Sequence, residues 1–408
     1  MSASTPASPA PSPRLVSLDA LRGFDMFWIL GGDALVYAIA KAWKFPPFQF
    51  LAMELDHADW AGFRAYDLIF PLFVFMAGAS MAFALDRIIA EKGRGAAVKR
   101  VLVRGAVLFL IALFYSGGFR SAWPDMRLLG VLNRIALAYS AAGLLYIYLR
   151  PRGLMIAAAG ILVGYWVLLT FVPIRDIALD KDAMIARFGP KPTLEQVQHA
   201  YEATTTRVTG RYEPGLNVSN HFDFEHLPGR KYDVYWDPEG ILSTIPAVAT
   251  CLLGVLAGML LRRRDLADLK KVQWLVVGGI ASLALGFLWG LQFPIVKKIW
   301  TSSFVLVAGG WSALLLATFY YTIDIRGWRS WCPAFVWIGM NPIALYVVKG
   351  NLIGFPAQAQ RFVGGSVKAF FDVHVTTGAG DVVIAAVSIG LVILLAWFLH
   401  SRKIFLRV

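Results

Sequence analysis

Apolar runs of about twenty residues recur along nearly the whole chain, and a helix of that length is what crosses roughly 30 Å of hydrocarbon. They fall at about 23–43, 67–86, 101–118, 128–149, 154–173, 241–261, 272–292, 301–322, 333–350 and 381–400. Such a pattern predicts an all-α integral membrane protein, a bundle of about ten transmembrane helices with a periplasmic insertion at about 174–240, between spans five and six. Composition agrees: 58% of the 408 residues are hydrophobic and 16% charged, well below the quarter or so of charged residues usual in soluble domains. A single membrane domain over 15–408 follows, preceded by residues 1–14, whose Ala, Ser and Pro predict a disordered cytoplasmic tail.

The net charge of +13 does not point to nucleic acid, because the basic residues gather in short loops between spans. Arg87, Lys92, Arg94, Lys99 and Arg100 separate spans two and three, and Arg150, Arg152, Arg262, Arg263, Arg264, Lys270, Lys271, Arg326, Arg329, Arg402 and Lys403 fall in loops of the same parity. Positive loops stay in the cytoplasm. Both termini are thus expected inside, the insertion outside, and the protein in a cell inner membrane, multi-pass and surrounded by lipid. Two cysteines, Cys251 and Cys332, suggest neither a disulfide framework nor a thiolate metal site. There is no HExxH, Walker A loop or GxGxxG after a strand. Pro71, Pro246 and Pro342 interrupt spans; in a bundle this signals either a kink or a lined cavity.

Charged groups inside spans are costly and need partners or a wet cavity. Span one carries Asp25 and Asp33, and Arg22 lies three residues from both Asp19 and Asp25, so it can pair with either. Span four places Asn133 and Arg134 about two turns in from its outer end. The guanidinium cannot discharge and must face an anion. Asp67, at the start of span two, is the first expected partner; Asp237 and Glu239, in WDPEG before span six, lie at the same end. His57 stands in the outward stretch ELDHADWAGFRAYDLIFP, where imidazole near carboxylates suits proton transfer, although a loop histidine is more often just solvent-facing. His199, His221 and His226 read as ordinary loop residues.

At these residues the sequence resembles the transmembrane heparan-alpha-glucosaminide N-acetyltransferases and their bacterial homologues. The resemblance is carried by RLVSLDALRGFDMFWI, HADWAGFRAYDLIFPLFVFMAG, GVLNRIALAY, DPEGILSTIPAVATCLLGVLAG, FPIVKKIWTSSFVL, GMNPIALYV (which contains Asn341) and the terminal KIF, in order across nearly the whole chain. It implies an enzyme that moves the acetyl group of cytosolic acetyl-CoA across the membrane to the amine of a glucosamine-type sugar. His57 occupies the family's active-site histidine position, with Trp60, Gly62 and Asp67–Pro71 in register. Where the lysosomal members have asparagine, ten residues after the Arg-Gly glycine, this chain has Asp33.

On this resemblance acetyl-CoA sits in the bundle with its phosphates toward the cytoplasmic basic ends. His57 is base or transient acetyl acceptor, Asp33 or Asp67 fixes its tautomer, and Asn133 or Arg134 positions the sugar or polarises the thioester. Arg22, Asp25, Glu239 and Asn341 complete the candidate positioning set, with no metal. A rival of another class is an amino-sugar or oligosaccharide transporter, or an accessory of hexosamine uptake, using Asp33 and Arg134 as relay and gate. The glycine-rich faces VAGG and GVLAG can pack within one protomer or between two, so a homodimer is open.

Overall fold

The computed structural model describes residues 15–120, 122–349 and 353–405; the expected tail at 1–14 lies outside them. Helix α1 (Val16–Phe27) begins well before its apolar core. The Asp324 carboxylate accepts the backbone N–H groups of Val16 and Ser17, each at 3.2 Å, and so caps donors that the helix cannot satisfy itself. A π-helical stretch, Trp28–Gly32, leads into α2 (Asp33–Trp43). Lys44 in the left-handed region stops α2, and Pro46 opens α3 (Pro46–Glu54). Tyr37 donates to the Leu55 carbonyl at 2.5 Å, so α3 turns back along α2.

After a short 3-10 turn (Ala65–Leu68), α4 (Ile69–Tyr115) continues for 47 residues. The two spans expected at 67–86 and 101–118 share this stretch, which breaks at Gly93 (φ 82°, ψ 172°), a conformation only glycine adopts readily. A methyl on Gly143 would stand 2.8 Å from Val101 and 3.5 Å from the Met81 sulfur. Twenty residues apart, those side chains would be about 30 Å from each other in a straight helix. The chain therefore reverses at Gly93, and both limbs line the same face of the helix that carries Gly143.

That helix is α5 (Val131–Tyr148), followed by α6 (Pro151–Phe171). The insertion comes next: β1 (Ile174–Arg175), α7 (Lys181–Phe188), α8 (Leu194–Ala203), β2 (Arg207–Val208) and α9 (Val218–His226). The strands pair antiparallel, Ile174 opposite Val208. Its own small core holds Leu179, Met184, Val197, Tyr201, Phe224 and Trp236. A second cluster, with Leu169, Leu216, Phe293 and Ile299, fastens it to the helix ends.

Helices α10 (Ile241–Arg262), α11 (Asp268–Gly290) and α12 (Ser302–Phe319) follow, the last extended by a π-helical turn to Ile325. Helix α10 packs so closely on α4 that a methyl at Gly254 or Gly258 would collide with the backbone of Phe75 or Ala79. Gly310 meets the Gly279 carbonyl of α11 in the same way. The GVLAG and VAGG faces are thus used inside the protomer, where small residues let helices approach.

Among the described residues eight helices are long and apolar enough to cross a membrane. The expected ten differ for two reasons. Two of them form the single stretch that folds at Gly93. The ninth, 333–350, is not one helix: α13 (Pro333–Met340) and α14 (Pro342–Val347) meet at Asn341 (φ −135°, ψ 45°), since Pro342 disfavours a helical residue before it. Helices α15 (Phe355–Val363) and α16 (Ser366–His374) precede the last span, α17 (Ala379–Ser401).

Candidate functional site

The segment between α3 and α4 is shaped by one carboxylate. Asp67 sits at the third position of the 3-10 turn with its side chain 1% exposed, and its Oδ2 accepts the backbone N–H groups of Ala58 (3.2 Å) and Arg64 (3.1 Å). Oδ1 stays free to face His57, whose Nδ1 lies 2.8 Å away in a side chain 50% exposed. A carboxylate on Nδ1 keeps the proton there and leaves the lone pair on Nε2.

A third group completes the cluster. Gly62 donates to the Ile295 carbonyl at 2.9 Å, and Ala61 and Val296 form an antiparallel bridge, pinning the α11–α12 loop against the histidine segment. Thr301 Oγ1 accepts the Val296 N–H at 3.0 Å while capping α12. This brings Lys297 Nζ to 3.0 Å from His57 Nδ1, 3.5 Å from His57 Nε2 and 3.3 Å from Asp67 Oδ1. Burial pushes the Lys297 ammonium below the ordinary lysine value, while the Asp67 and Glu239 carboxylates pull against that. Sequence reading passes over Lys297: it stands in the quoted FPIVKKIW segment, but a lysine in a short loop looks like any other until the bridge to Ala61 is known.

Asp33 does not touch His57. Its Oδ2 accepts Tyr66 Oη at 2.8 Å, and the Tyr66 ring lies 4.9 Å from the imidazole, so the aspartate reaches the histidine only through the tyrosine.

Arg134 corrects an expectation. It is 1% exposed and makes no ion pair with Asp67. It donates to the Pro238 carbonyl and, at 2.5 Å, to Ser243 Oγ. Its guanidinium lies 4.7 Å from the Trp300 ring and 5.8 Å from Phe70. Neutral oxygens and aromatic faces meet this cation in place of a carboxylate, because the nearby carboxylates are already taken. Asp67 is bound as above, and Arg127 holds both Asp237 (2.8 and 2.7 Å) and Glu239 (2.7 Å). Arg127 is the partner the spacing argument missed, since it lies in a turn and not in a span.

The other expected positioning residues are dispersed. Arg22 bonds Ser80 Oγ (2.5 Å) and the Gly339 carbonyl (3.2 Å), and pairs with Asp19 at 3.6 Å in preference to Asp25. Asp25 is buried, and neither carboxylate oxygen has a hydrogen-bond partner among the described residues. Asn341 donates to the Ile404 carbonyl at 3.0 Å and ties the α13–α14 break to the end of the chain. Asn133 is fully buried and donates to the Phe109 carbonyl at 3.3 Å. Of the histidines read as loop residues, His199 and His226 are exposed on helices, whereas His221 is buried on α9 with Nε2 3.1 Å from the Ile177 carbonyl. Burial lowers it to about 4, so it is neutral and structural. Among the described residues no group of three or more His, Cys, Asp or Glu side chains is placed to hold a metal.

The insertion joins the site through Asp223 of α9, which accepts the Ile241 N–H at 2.9 Å and the Asp237 N–H at 3.4 Å at the start of α10. Burial raises this carboxyl from 3.8 to about 7. The folded state therefore binds its proton more tightly than the unfolded chain does. The stability it contributes is complete below about pH 4 and is lost as pH rises through 7, a loss on the order of 2–4 kcal/mol at about 1.4 kcal/mol per unit. Detergent-solubilised protein is expected to resist proteolysis of the insertion better at pH 5 than at pH 8. Asp223→Asn should flatten that difference, and an unchanged profile in the variant would remove Asp223 as its source.

Comparison with known proteins agrees with the motif resemblance. The family model described as heparan-alpha-glucosaminide N-acetyltransferase, catalytic, matches residues 14–184, which include His57, Asp67, Asn133 and Arg134. The chain is 27% identical to heparan-alpha-glucosaminide N-acetyltransferase of Homo sapiens over 97% of its own length and 60% of the relative's. It is 26% identical to the Mus musculus protein over 98% and 62%. The chain thus spans about three-fifths of the length of these relatives.

Proposed function

We propose that this chain is a transmembrane N-acetyltransferase that moves the acetyl group of cytosolic acetyl-CoA to the amine of a glucosamine-type sugar at the outer face of a bacterial inner membrane, with both termini cytoplasmic. The observation that carries this reading is the buried Asp67 on Nδ1 of a half-exposed His57, with Lys297 beside both. That arrangement presents one basic nitrogen, Nε2, at the end of the bundle where the insertion packs. Trp60, inside the loop that Asp67 anchors at Ala58 and Arg64, donates to the Tyr212 carbonyl of the insertion at 2.7 Å, so the wall of the site is part bundle and part insertion.

In the proposed reaction His57 Nε2 accepts a proton from the sugar amine as its nitrogen attacks the thioester carbonyl. The C–N bond forms, the C–S bond breaks, and coenzyme A leaves as a thiolate that recovers the proton from the imidazolium. Asp67 holds the ring in the tautomer that this needs. Lys297 keeps a positive charge beside Asp67, so the carboxylate remains the acceptor of the Nδ1–H. The names of the relatives support the substrates, and the basic loops support the side from which the donor comes.

The test uses full-length protein in proteoliposomes, with labelled acetyl-CoA on the cytoplasmic side and glucosamine on the other. The expected product is labelled N-acetylglucosamine on the sugar side, in an amount that follows acetyl-CoA. Saturable transfer of unmodified glucosamine without any need for acetyl-CoA overturns the reading and makes the chain a transporter. Labelled protein trapped by quenching before sugar is added would replace direct transfer with an acetyl-histidine.

A further inference from the structure

A cavity of about 150 Å³ opens between the end of α4, the turn into α5 and Tyr346 of α14, with Arg230 of the insertion exposed at its rim. At about 30 Å³ per water it has room for roughly five waters. It is too small for the nucleotide half of coenzyme A.

Three features give the cavity a chemistry. Asn133 lines it, fully buried, with Nδ2 engaged by Phe109 and Oδ1 without a hydrogen-bond partner among the described residues. A buried carbonyl oxygen in this state calls for a donor. Gly130 supplies the space: a methyl there would stand 3.6 Å from Asn133 Oδ1, 3.8 Å from Ser116 Oγ and 4.0 Å from Arg127 Cζ, so three polar groups converge on a volume left open by glycine. The rings of Tyr115 and Tyr346, which also line the cavity, stack on each other at 4.7 Å and 26° and add aromatic surface to it.

Arg127 spends its charge on Asp237 and Glu239, so the groups converging on the open space are an amide oxygen, a hydroxyl and a guanidinium already paired with carboxylates. Hydroxyl groups match that set, since each can donate to Asn133 and accept from Ser116 or Arg127. A phosphate finds no unpaired buried cation there. We propose that this cavity is a hexose subsite, in which a ring hydroxyl of the sugar satisfies Asn133 Oδ1 and the apolar face of the ring lies on the tyrosine pair. The site adjoins the ion-paired turn at the start of α10: Arg127, which lines the cavity, holds both Asp237 and Glu239. The inference rests on the acetyltransferase reading for the choice of sugar, but binding is measured without turnover.

The decisive variant is Gly130→Ala. Gly130 has an extended backbone (φ −150°), and its added methyl meets side chains only at ordinary contact distance, so the fold accepts it while the methyl takes the space beside Asn133 Oδ1 and Ser116 Oγ. Equilibrium dialysis of labelled glucosamine against the full-length protein in nanodiscs, with no acetyl-CoA present, should show binding by wild type. Affinity should fall about tenfold in Gly130→Ala and in Asn133→Leu, the hydrogen bond to Asn133 Oδ1 being lost in each. In turnover, KM for glucosamine should rise in Gly130→Ala and KM for acetyl-CoA should not. Sugar affinity equal to wild type in Gly130→Ala, no sugar binding by wild type, or a rise confined to the acetyl-CoA KM each overturns the subsite. If wild type binds glucosamine in a Gly130-dependent way yet transfers no acetyl group, the subsite stands and the acetyltransferase reading fails.

Discussion

His57→Ala is expected to lower acetyl transfer on the order of 10³-fold, within the range general base catalysis supplies, with little change in stability. The ring is half exposed, and Asp67 keeps its backbone bonds to Ala58 and Arg64 and its contact with Lys297 when the imidazole is gone. The informative companion is Asp67→Asn. Its amide has one acceptor oxygen where the carboxylate has two, and three donors besides the imidazole compete for it: two backbone N–H groups and an ammonium. Either the imidazole turns to the other tautomer or the loop loses a bond. In a histidine–aspartate pair of this kind the wrong tautomer costs up to about 10⁴ in kcat. Lys297→Met should leave the proton on Nδ1 and give a smaller loss. Single-turnover transfer of labelled acetyl to glucosamine, with size-exclusion profiles as the check on folding, measures all three. Full transfer by His57→Ala would dismiss the histidine as the base.

Arg127→Leu is expected to be the most destabilising single change at the site end of the bundle. Removing one partner from a buried ion pair leaves the other charge uncompensated, at a cost of about 3–5 kcal/mol. Here two carboxylates lose their cation. Asp237 is 1% exposed and is also the acceptor for the backbone N–H groups of Tyr232 and Glu239, so its displacement loosens the turn that starts α10. Burial already raises Glu239 above the ordinary carboxyl value, against the pull of Arg134 and Arg127, and without Arg127 it should take up a proton. The measurement is the fraction of monodisperse protein left after heating in detergent. Arg127→Leu should fall far below wild type, and adding Glu239→Gln should recover part of the loss. A melting curve that coincides with wild type would show that the lock contributes nothing.

Much of this architecture is legible without coordinates because the bilayer enforces it. Runs such as 241–261 and 272–292 are helices for the reason that made them visible: hydrocarbon offers no partner for backbone groups. The breaks are harder to place. Gly93 lies among Arg, Lys and Glu between two apolar runs, so a loop is a fair expectation, yet helical structure persists on both sides up to that one glycine. In 333–350 the proline was visible and its consequence was not, because whether Pro342 bends or divides a span depends on what fills the gap, here the bond from Asn341 to Ile404.

The site divides along the same line. His57 and Asp67 are ten residues apart in one segment, and local turn chemistry joins them: Asp67 caps its own 3-10 turn and so aims its second oxygen at the histidine. Short-range patterns of that sort are written in the order of residues, as are the apolar lengths and the side of the basic loops. Lys297 stands 240 residues from His57 and Arg127 110 residues from Asp237, and those pairs exist only because helices pack in one arrangement. Spacing paired Asp67 with Arg134, and only the family resemblance offered it, or Asp33, to His57; packing gave the arginine to Trp300, Ser243 and Pro238 instead. Hydrophobic length acts residue by residue along the chain and survives in the sequence, whereas the choice among several buried carboxylates and cations depends on distances of a few ångströms, which only the closed bundle sets.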